Sequence, residues 1–409
     1  MTETSAAKTM PPGPESVPDA KPAADARAKR GFLGTSQFRD YGLVIALLLI
    51  TLFFEYTTNG VLFQPLNLTN LILQNSYVVV MALGMLLVIV AGHIDLSIGS
   101  IVGFVGALAA LLMVHYGIDP FTATIVCLAV GAAIGGLQGA FVAYLGIPSF
   151  IVTLAGMLVF RGLTLALLQG ASIGPFPEVF QLLSKGFLVN FAGPWTAMLM
   201  GLVLALLLLG MNWQRRAVQV RHGSSPDSLA SFIARNGIIT AVILAFAYQM
   251  SSYRGLPNVL LVMFVLVMIY RFVTTRTTIG RRIYALGGNI KAARLSGIKT
   301  ERLTFLTFAN MGALAGLAGM IFAARLNTAT PKAGVGFELD VIAACFIGGA
   351  SAAGGIGKVS GVVIGAFIIG VMNNGMSILG IGIDYQQVIK GIVLLAAVCL
   401  DVYNKKNRA

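Results

Sequence analysis

The sequence predicts an all-α fold: a polytopic membrane helix bundle of about 10–12 transmembrane helices with both termini in the cytoplasm. Three observations carry that expectation. Of 409 residues, 57% are hydrophobic and only 11% are charged, whereas a soluble domain covers its surface with about 25% charged residues. The apolar residues fall in twelve successive runs. The basic residues avoid every second gap between those runs.

The runs are 43–63, 68–91, 97–115, 121–145, 149–169, 195–211, 232–250, 256–273, 303–324, 339–352, 359–379 and 386–402. A helix needs about 20 residues to cross the hydrocarbon core, and most of the runs qualify. The run 339–352 is short, which predicts a half-helix or re-entrant segment. With the N-terminus inside and all runs crossing, the inner side holds 22 of the 28 Lys and Arg residues. They lie in 1–40, 211–235, 271–302, at Lys358 and in the C-terminal tail. The outer side holds only Lys185, Arg254, Arg325 and Lys332, while Arg161 and Lys390 lie within runs. This is the positive-inside asymmetry. Residues 1–40, rich in Pro, Ala, Lys and Arg and lacking a signal-peptide core, are expected to be a disordered cytoplasmic tail. Residues 41–402 form the membrane domain with a cytoplasmic loop at 271–302, and 403–409 form a C-terminal tail.

The net charge of +13 does not mark a nucleic-acid binder, because it sits in the tail and in one set of loops. Cys127, Cys345 and Cys399 lie in apolar stretches without metal spacing and read as small core residues. His93, His115 and His222 are far apart and form no ligand set. Intramembrane ionisable groups are few: Glu55, Asp95, Arg161 and Lys390, all near run ends, where the two cations can snorkel. That scarcity argues against ion coupling. No catalytic constellation, metal site or cofactor motif is present. Gly357-Lys358 invites comparison with the phosphate loop G-x-x-x-x-G-K-[ST], but Ala352 and Val359 occupy positions that pattern reserves for Gly and Ser/Thr. An ATPase, if one drives the protein, is another subunit.

Glycine is frequent inside the runs, and the Gly135–Gly139 pair is expected to serve close helix packing within the bundle. Two Gly-rich breaks stand out. One spans 92–100 with Gly92, Asp95, Ser97 and Gly99, where Asp95 or Ser97 is expected to cap the next helix. The other spans 348–358 with Gly348, Gly349, Gly354 and Gly355. The two are expected to mark related halves of an internal repeat. In the loop 271–302, residues 291–296 read as a short basic helix, ended by Gly297 in a left-handed C′ position. The small pair Ala292-Ala293 gives that helix a face able to enter a cleft of a partner.

Lys291-Ala292-Ala293-Arg294-Leu295-Ser296-Gly297 resembles the EAA-x-x-x-G coupling loop of ABC importer permeases, with Lys291 in place of Glu. Gly92-His93-Ile94-Asp95-Leu96-Ser97-Ile98-Gly99-Ser100 is similar to the signature of their ribose/xylose branch, with His93 where Gly is commoner. The stretch from Gly370-Val371-Met372-Asn373-Asn374-Gly375 to Gln387-Val388-Ile389-Lys390-Gly391 looks like the xylose-type permeases. The resemblance covers residue 41 to the C-terminus. It implies a permease subunit of the bacterial inner membrane, importing a monosaccharide, D-xylose above all. Its partners would be a cytoplasmic sugar-type ATPase, a periplasmic sugar-binding protein, a second permease copy and membrane lipid. By the motif, Ala292, Ala293 and Gly297, with Gly280 and Asn289 of the same loop, would form the ATPase contact, and the signature residues would fix a helix break near the pathway. A neutral polyol needs uncharged hydrogen-bonding groups along its path. Asn75, Gln138, Asn310, Asn373 and Asn374 are the candidates, with interhelical bonding as the competing role. The rival class is a secondary, proton-coupled sugar transporter, suggested by the likeness of Thr278-Ile279-Gly280-Arg281-Arg282 to an R-x-G-R-R loop.

Overall fold

The computed structural model describes residues 35–188, 193–222 and 228–406. The tail expected over 1–40 lies outside them except for its last residues. Residues 42–409 pack as one compact unit, and residues 1–41 are a separate one. In chain order the helices are α1 Thr35–Thr57, α2 Pro65–Val90, α3 Ile98–Ala110 (continued by a π turn, Leu111–His115), α4 Pro120–Ala143, α5 Ser149–Leu168, α6 Glu178–Gln181, α7 Thr196–Arg221, α8 Leu229–Ser251, α9 Asn258–Arg276, α10 Thr278–Gly288, α11 Ile290–Leu295, α12 Thr300–Leu326, α13 Phe337–Ile347, α14 Val359–Ile378 and α15 Ile383–Lys406. Each of the twelve apolar runs holds one helix. Among the described residues nine helices are long and apolar enough to cross a membrane: α2, α3 with its π turn, α4, α5, α7, α8, α9, α12 and α14. The short run became α13, a half-helix of 11 residues. α15 continues through Lys406 into the segment expected to be tail.

Helices satisfy their own backbone groups, which lipid does not do. Their ends are set locally. α2 opens on Pro65 and α4 on Pro120, where the missing N–H costs nothing. Asp119 caps α4, its carboxylate accepting the Thr122 N–H at 2.8 Å. That bond, with the Thr122 hydroxyl, holds the Asp119 carboxyl below its usual pKa.

The core forms around α12, which packs on α2, α3 and α4. Against α4 the backbones touch: a Cβ at Gly131 would lie 2.6 Å from the Gly312 carbonyl, and one at Gly135 would overlap the Phe308 carbonyl. Gly139 sits against Phe305 and Phe308. The Gly135–Gly139 pair therefore serves internal packing, as expected. Cys127 and Cys345 are buried core residues, but Cys399 is exposed. The expectation for Cys399 fails because α15 packs on α13 and α14 by one flank only. α7 and α8 pair mainly with each other, Gly201 meeting Ala247.

The chain leaves regular helix twice inside the bundle. α2 ends at Val90, and the break 91–97 leads to α3. α12 ends at Leu326, and the break 327–336 leads to α13. Gly319 packs on Val102, so α3 begins level with the middle of α12. There the breaks meet: Gly334 lies against the Gly99 carbonyl, and the Ala333 carbonyl lies against Gly103. The N-terminal ends of α3 and α13 thus face each other within the bundle. The break that meets the start of α3 is 327–336, which holds Gly334 and Gly336. The stretch 348–358 is instead the return from α13 to α14.

Candidate functional site

Two helices occupy the basic loop 271–302. At the start of α10 the Thr277 hydroxyl accepts the Gly280 N–H at 3.1 Å. Gly280 is buried where a Cβ would overlap the Val273 carbonyl. Ile283 and Leu286 are buried while Arg281 and Arg282 are exposed, so α10 lies with one face on the bundle. The Tyr284 hydroxyl donates to the Gly357 carbonyl at 2.6 Å, and burial raises the pKa of that phenol. Asn289 caps α11, its side-chain oxygen accepting the Ala292 N–H at 3.0 Å.

α11 ends as its sequence predicts. The Gly297 N–H donates to the Arg294 carbonyl at 3.0 Å and the Ile298 N–H to the Ala293 carbonyl at 3.1 Å. Gly297 has φ +78°. This is the paired 5→2 and 6→1 closure that a left-handed C′ residue permits. Ala293 faces the bundle at 4% exposure, whereas Ala292 is exposed and Leu295 is 89% exposed. The helix therefore presents Ala292 and a bare Leu295 outward, flanked by Lys291 and by Arg294, which pairs with Glu301 at 2.5 Å.

The loop meets both Gly-rich stretches backbone to backbone. Gly287 lies against the Val90 carbonyl, Gly355 against Gly288, and Gly354 against Gly287 and Gly92. The Gly355 N–H donates to the Val90 carbonyl at 2.9 Å. Gly348 lies against Gly361 of α14, and Gly349 takes φ +83°. A side chain at Gly287 would overlap the Val90 carbonyl, so α10 is in backbone contact with the end of α2 and with the 348–358 return.

Asp95 is fully buried. Its Oδ1 accepts the Ser97 N–H at 2.8 Å and the Ser97 hydroxyl at 2.6 Å. Ser97 occupies the N-cap position of α3, but its side chain caps nothing. The expected capping of α3 is therefore replaced by a local turn, because the carboxylate is engaged two residues on. The Ser97 hydroxyl also lies 2.9 Å from the Gln138 side-chain oxygen. One hydroxyl proton serves one acceptor, so the Gln138 amide is satisfied there when turned to donate its NH2 to Ser97.

The remaining path candidates are dispersed. Asn310 accepts the Tyr270 hydroxyl at 2.5 Å. Asn374 and Asn67 exchange amide bonds of 2.9 and 3.1 Å between α14 and α2. Asn373 donates to Asp340 at 3.2 Å. Asn75 lies against Gly370, and its NH2 lacks a hydrogen-bond partner. Asn310 and Asn374 thus bond across helices, and the five do not form one cluster.

Two acids escaped the sequence reading. Glu338 and Asp340 are both buried in the first turn of α13. Lys390 pairs with Asp340 at 2.8 Å, so it is held by a partner and does not snorkel freely. The available signal was Gly334-Val335-Gly336-Phe337-Glu338-Leu339-Asp340, a turn followed by acids at a helix start.

The described branched-chain amino acid transport system / permease component family matches residues 67–398. The chain is 41% identical over 366 residues to the xylose transport system permease protein XylH of Haemophilus influenzae, covering 90% of this chain and 96% of that one. It is 38% identical to the Escherichia coli K12 protein of the same name, covering 89% and 92%. The ribose import permease protein RbsC of Escherichia coli K12 is 35% identical, covering 89% and 93%. No solved structure matches.

Proposed function

The chain belongs to the branched-chain amino acid transport system / permease component family, and from that premise we propose that it is the membrane-spanning subunit of an ATP-driven sugar importer. The sugar is a monosaccharide, D-xylose, as the names of its relatives XylH indicate. The protein sits in the inner membrane as a homodimer among lipid, receives sugar from a periplasmic binding protein, and carries no ATPase of its own. The cytoplasmic ATPase docks on α11, and Gly280 and Asn289 shape the loop that presents it.

The geometry of α11 supports this reading most strongly. Its closed C-terminus holds Ala292 and Leu295 outward, and its neighbour α10 rests on the glycine contacts at Gly92, Gly287 and Gly354. A push on α11 therefore reaches both the 91–97 break and the 348–358 return. Coupling needs such a rigid route between two sites.

Replacing Gly297 tests it. A leucine there meets no neighbour, since nothing lies within 4 Å of the Cβ position, but it strains the positive φ by about 1 kcal/mol. Gly297→Leu is expected to insert normally, to lose most co-purifying ATPase and to abolish ATP-driven xylose uptake in proteoliposomes. Unchanged uptake in that variant overturns the proposal. Uptake by the parent that follows a proton gradient without ATP favours the secondary transporter instead.

A further inference from the structure

The facing ends of α3 and α13 concentrate polar groups that the fold itself does not use. Among the described residues, nine buried side-chain atoms lack a hydrogen-bond partner. Four belong to this junction or rest on it: Asp95 Oδ2, Ser100 Oγ, Glu338 Oε2 and Gln138 Nε2. Their residues are 0%, 4%, 7% and 4% exposed. Turning the Gln138 amide moves the deficit to its oxygen and does not remove it. Native proteins retain few such groups, and each one asks for a reason.

Glu338 marks the place most directly. Its Oε2 reaches the spot a Cβ on Gly99 would occupy, in the first turn of α3. Glu338 itself stands in the first turn of α13. Two helix N-termini therefore bracket one carboxylate, and their unpaired N–H ends favour a hydrogen-bond acceptor there. Arg161 of α5 acts on the same carboxylate electrostatically.

Resting on the sugar-import reading above, we propose that the sugar crosses the bundle at the facing ends of α3 and α13, where Glu338, Ser100, Asp95 and Gln138 exchange hydrogen bonds with its hydroxyls. The chemistry matches a neutral polyol. The two carboxylates and the oxygen of the turned Gln138 amide accept from hydroxyls, and the serine hydroxyl accepts or donates. Both carboxylates disfavour an anion. The two helix ends and Arg161 disfavour a cation. Of the other path candidates, Asn374 is engaged with Asn67, and Asn310 uses its oxygen on the Tyr270 hydroxyl between α9 and α12.

The test uses the whole complex of permease, ATPase and binding protein in proteoliposomes, with labelled xylose uptake, ATP hydrolysis and thermal unfolding read together. The variants are Glu338→Gln and Ser100→Ala. Each changes an atom that has no hydrogen-bond partner in the fold, so a site role and a structural role diverge. The proposal expects at least a tenfold fall in xylose carried per ATP hydrolysed in both variants, with binding-protein-stimulated hydrolysis within twofold of the parent. It also expects an unfolding temperature for Ser100→Ala equal to or above the parent's. Unchanged uptake in either variant overturns it, as does a joint fall of uptake and unfolding temperature. Parent uptake that tracks a proton or sodium gradient, with that dependence lost in Glu338→Gln, assigns the carboxylate to a cation and also overturns it. A parent complex that takes up no xylose overturns the sugar-import reading itself; normal parent uptake beside unaffected variants overturns the passage alone.

Discussion

α2 and α8 are both long helices apolar enough to span a bilayer, yet 83% of the apolar window of α2 is buried and only 11% of that of α8. Their composition marks both for the membrane equally well. In water, burial would follow apolarity. In lipid it does not, because the tails are as apolar as leucine and offer no hydrophobic reason to prefer a protein neighbour. What separates the inner helices from the α7–α8 pair is close backbone approach and polar contact. α12 meets α4 through Gly131, Gly135, Gly312 and Gly316, while Gly210 of α7 and Gly237 of α8 have nothing within 4 Å of their Cβ positions.

The sharpest way to break this comparison is to place the same side chain at a glycine of each region. Leucine at Gly135 overlaps the Phe308 carbonyl and the Gly312 backbone, which cannot rotate away. Overpacking costs about 1–3 kcal/mol where side chains can adjust, and here the obstruction is main chain. Gly135→Leu is expected to reach or pass the upper end of that range, seen as loss of monodisperse protein or a strongly lowered unfolding temperature in detergent. Gly237→Leu is expected to stay within about 0.5 kcal/mol of the parent. Equal effects would mean that the α7–α8 pair is packed against a partner of its own.

The next test moves from backbone to charge. Lys390→Met strands Asp340, whose carboxylate would keep only the Asn373 amide. Breaking a buried pair costs about 3–5 kcal/mol. With side-chain exposures of 23% and 12%, the lower end, about 3 kcal/mol, is expected. The double variant Asp340→Asn/Lys390→Met should recover most of it, because an apolar or neutral pair leaves no stranded charge. A double variant as unstable as the single one would deny that the ion pair is the element holding α15 to α13.

The same contrast explains what could be read in advance. The twelve runs, the half-helix and the Gly297 closure were legible, because each depends on a local property: run length, hydropathy or a single backbone conformation. The 91–97 break was legible too, through Gly92 and Asp95. Its spatial partner was not. Residues 327–336 contain a Pro and two glycines and look like an ordinary loop, and nothing local says that they turn back into the bundle. Glu338 and Asp340 were missed for the same reason, since they gain meaning only when α13 starts level with α3. Asn374 looked like a path residue because sequence shows an amide in an apolar run but not the Asn67 that faces it. Lys390 looked free to snorkel because Asp340, 50 residues earlier, was not yet its neighbour.

The smallest effect is expected within the α7–α8 pair itself. Asn236 accepts the Asn212 amide at 2.8 Å, a bond between α7 and α8, and donates to the Phe232 carbonyl at 2.8 Å. Interhelical hydrogen bonds in membranes average about 0.6 kcal/mol and reach about 1.7 kcal/mol. Asn236→Leu should sit near the average, because lipid readily covers the new side chain on a helix that is already mostly exposed. Asn374→Leu should sit near the maximum, because it removes both bonds with Asn67 inside the α2–α14 contact and leaves the Asn67 side chain only its bond to the Leu62 carbonyl. Paired unfolding measurements on the two variants read the difference directly. If Asn236→Leu costs as much as Asn374→Leu, polar contact does not distinguish the two regions, and close backbone approach alone places helices in the core.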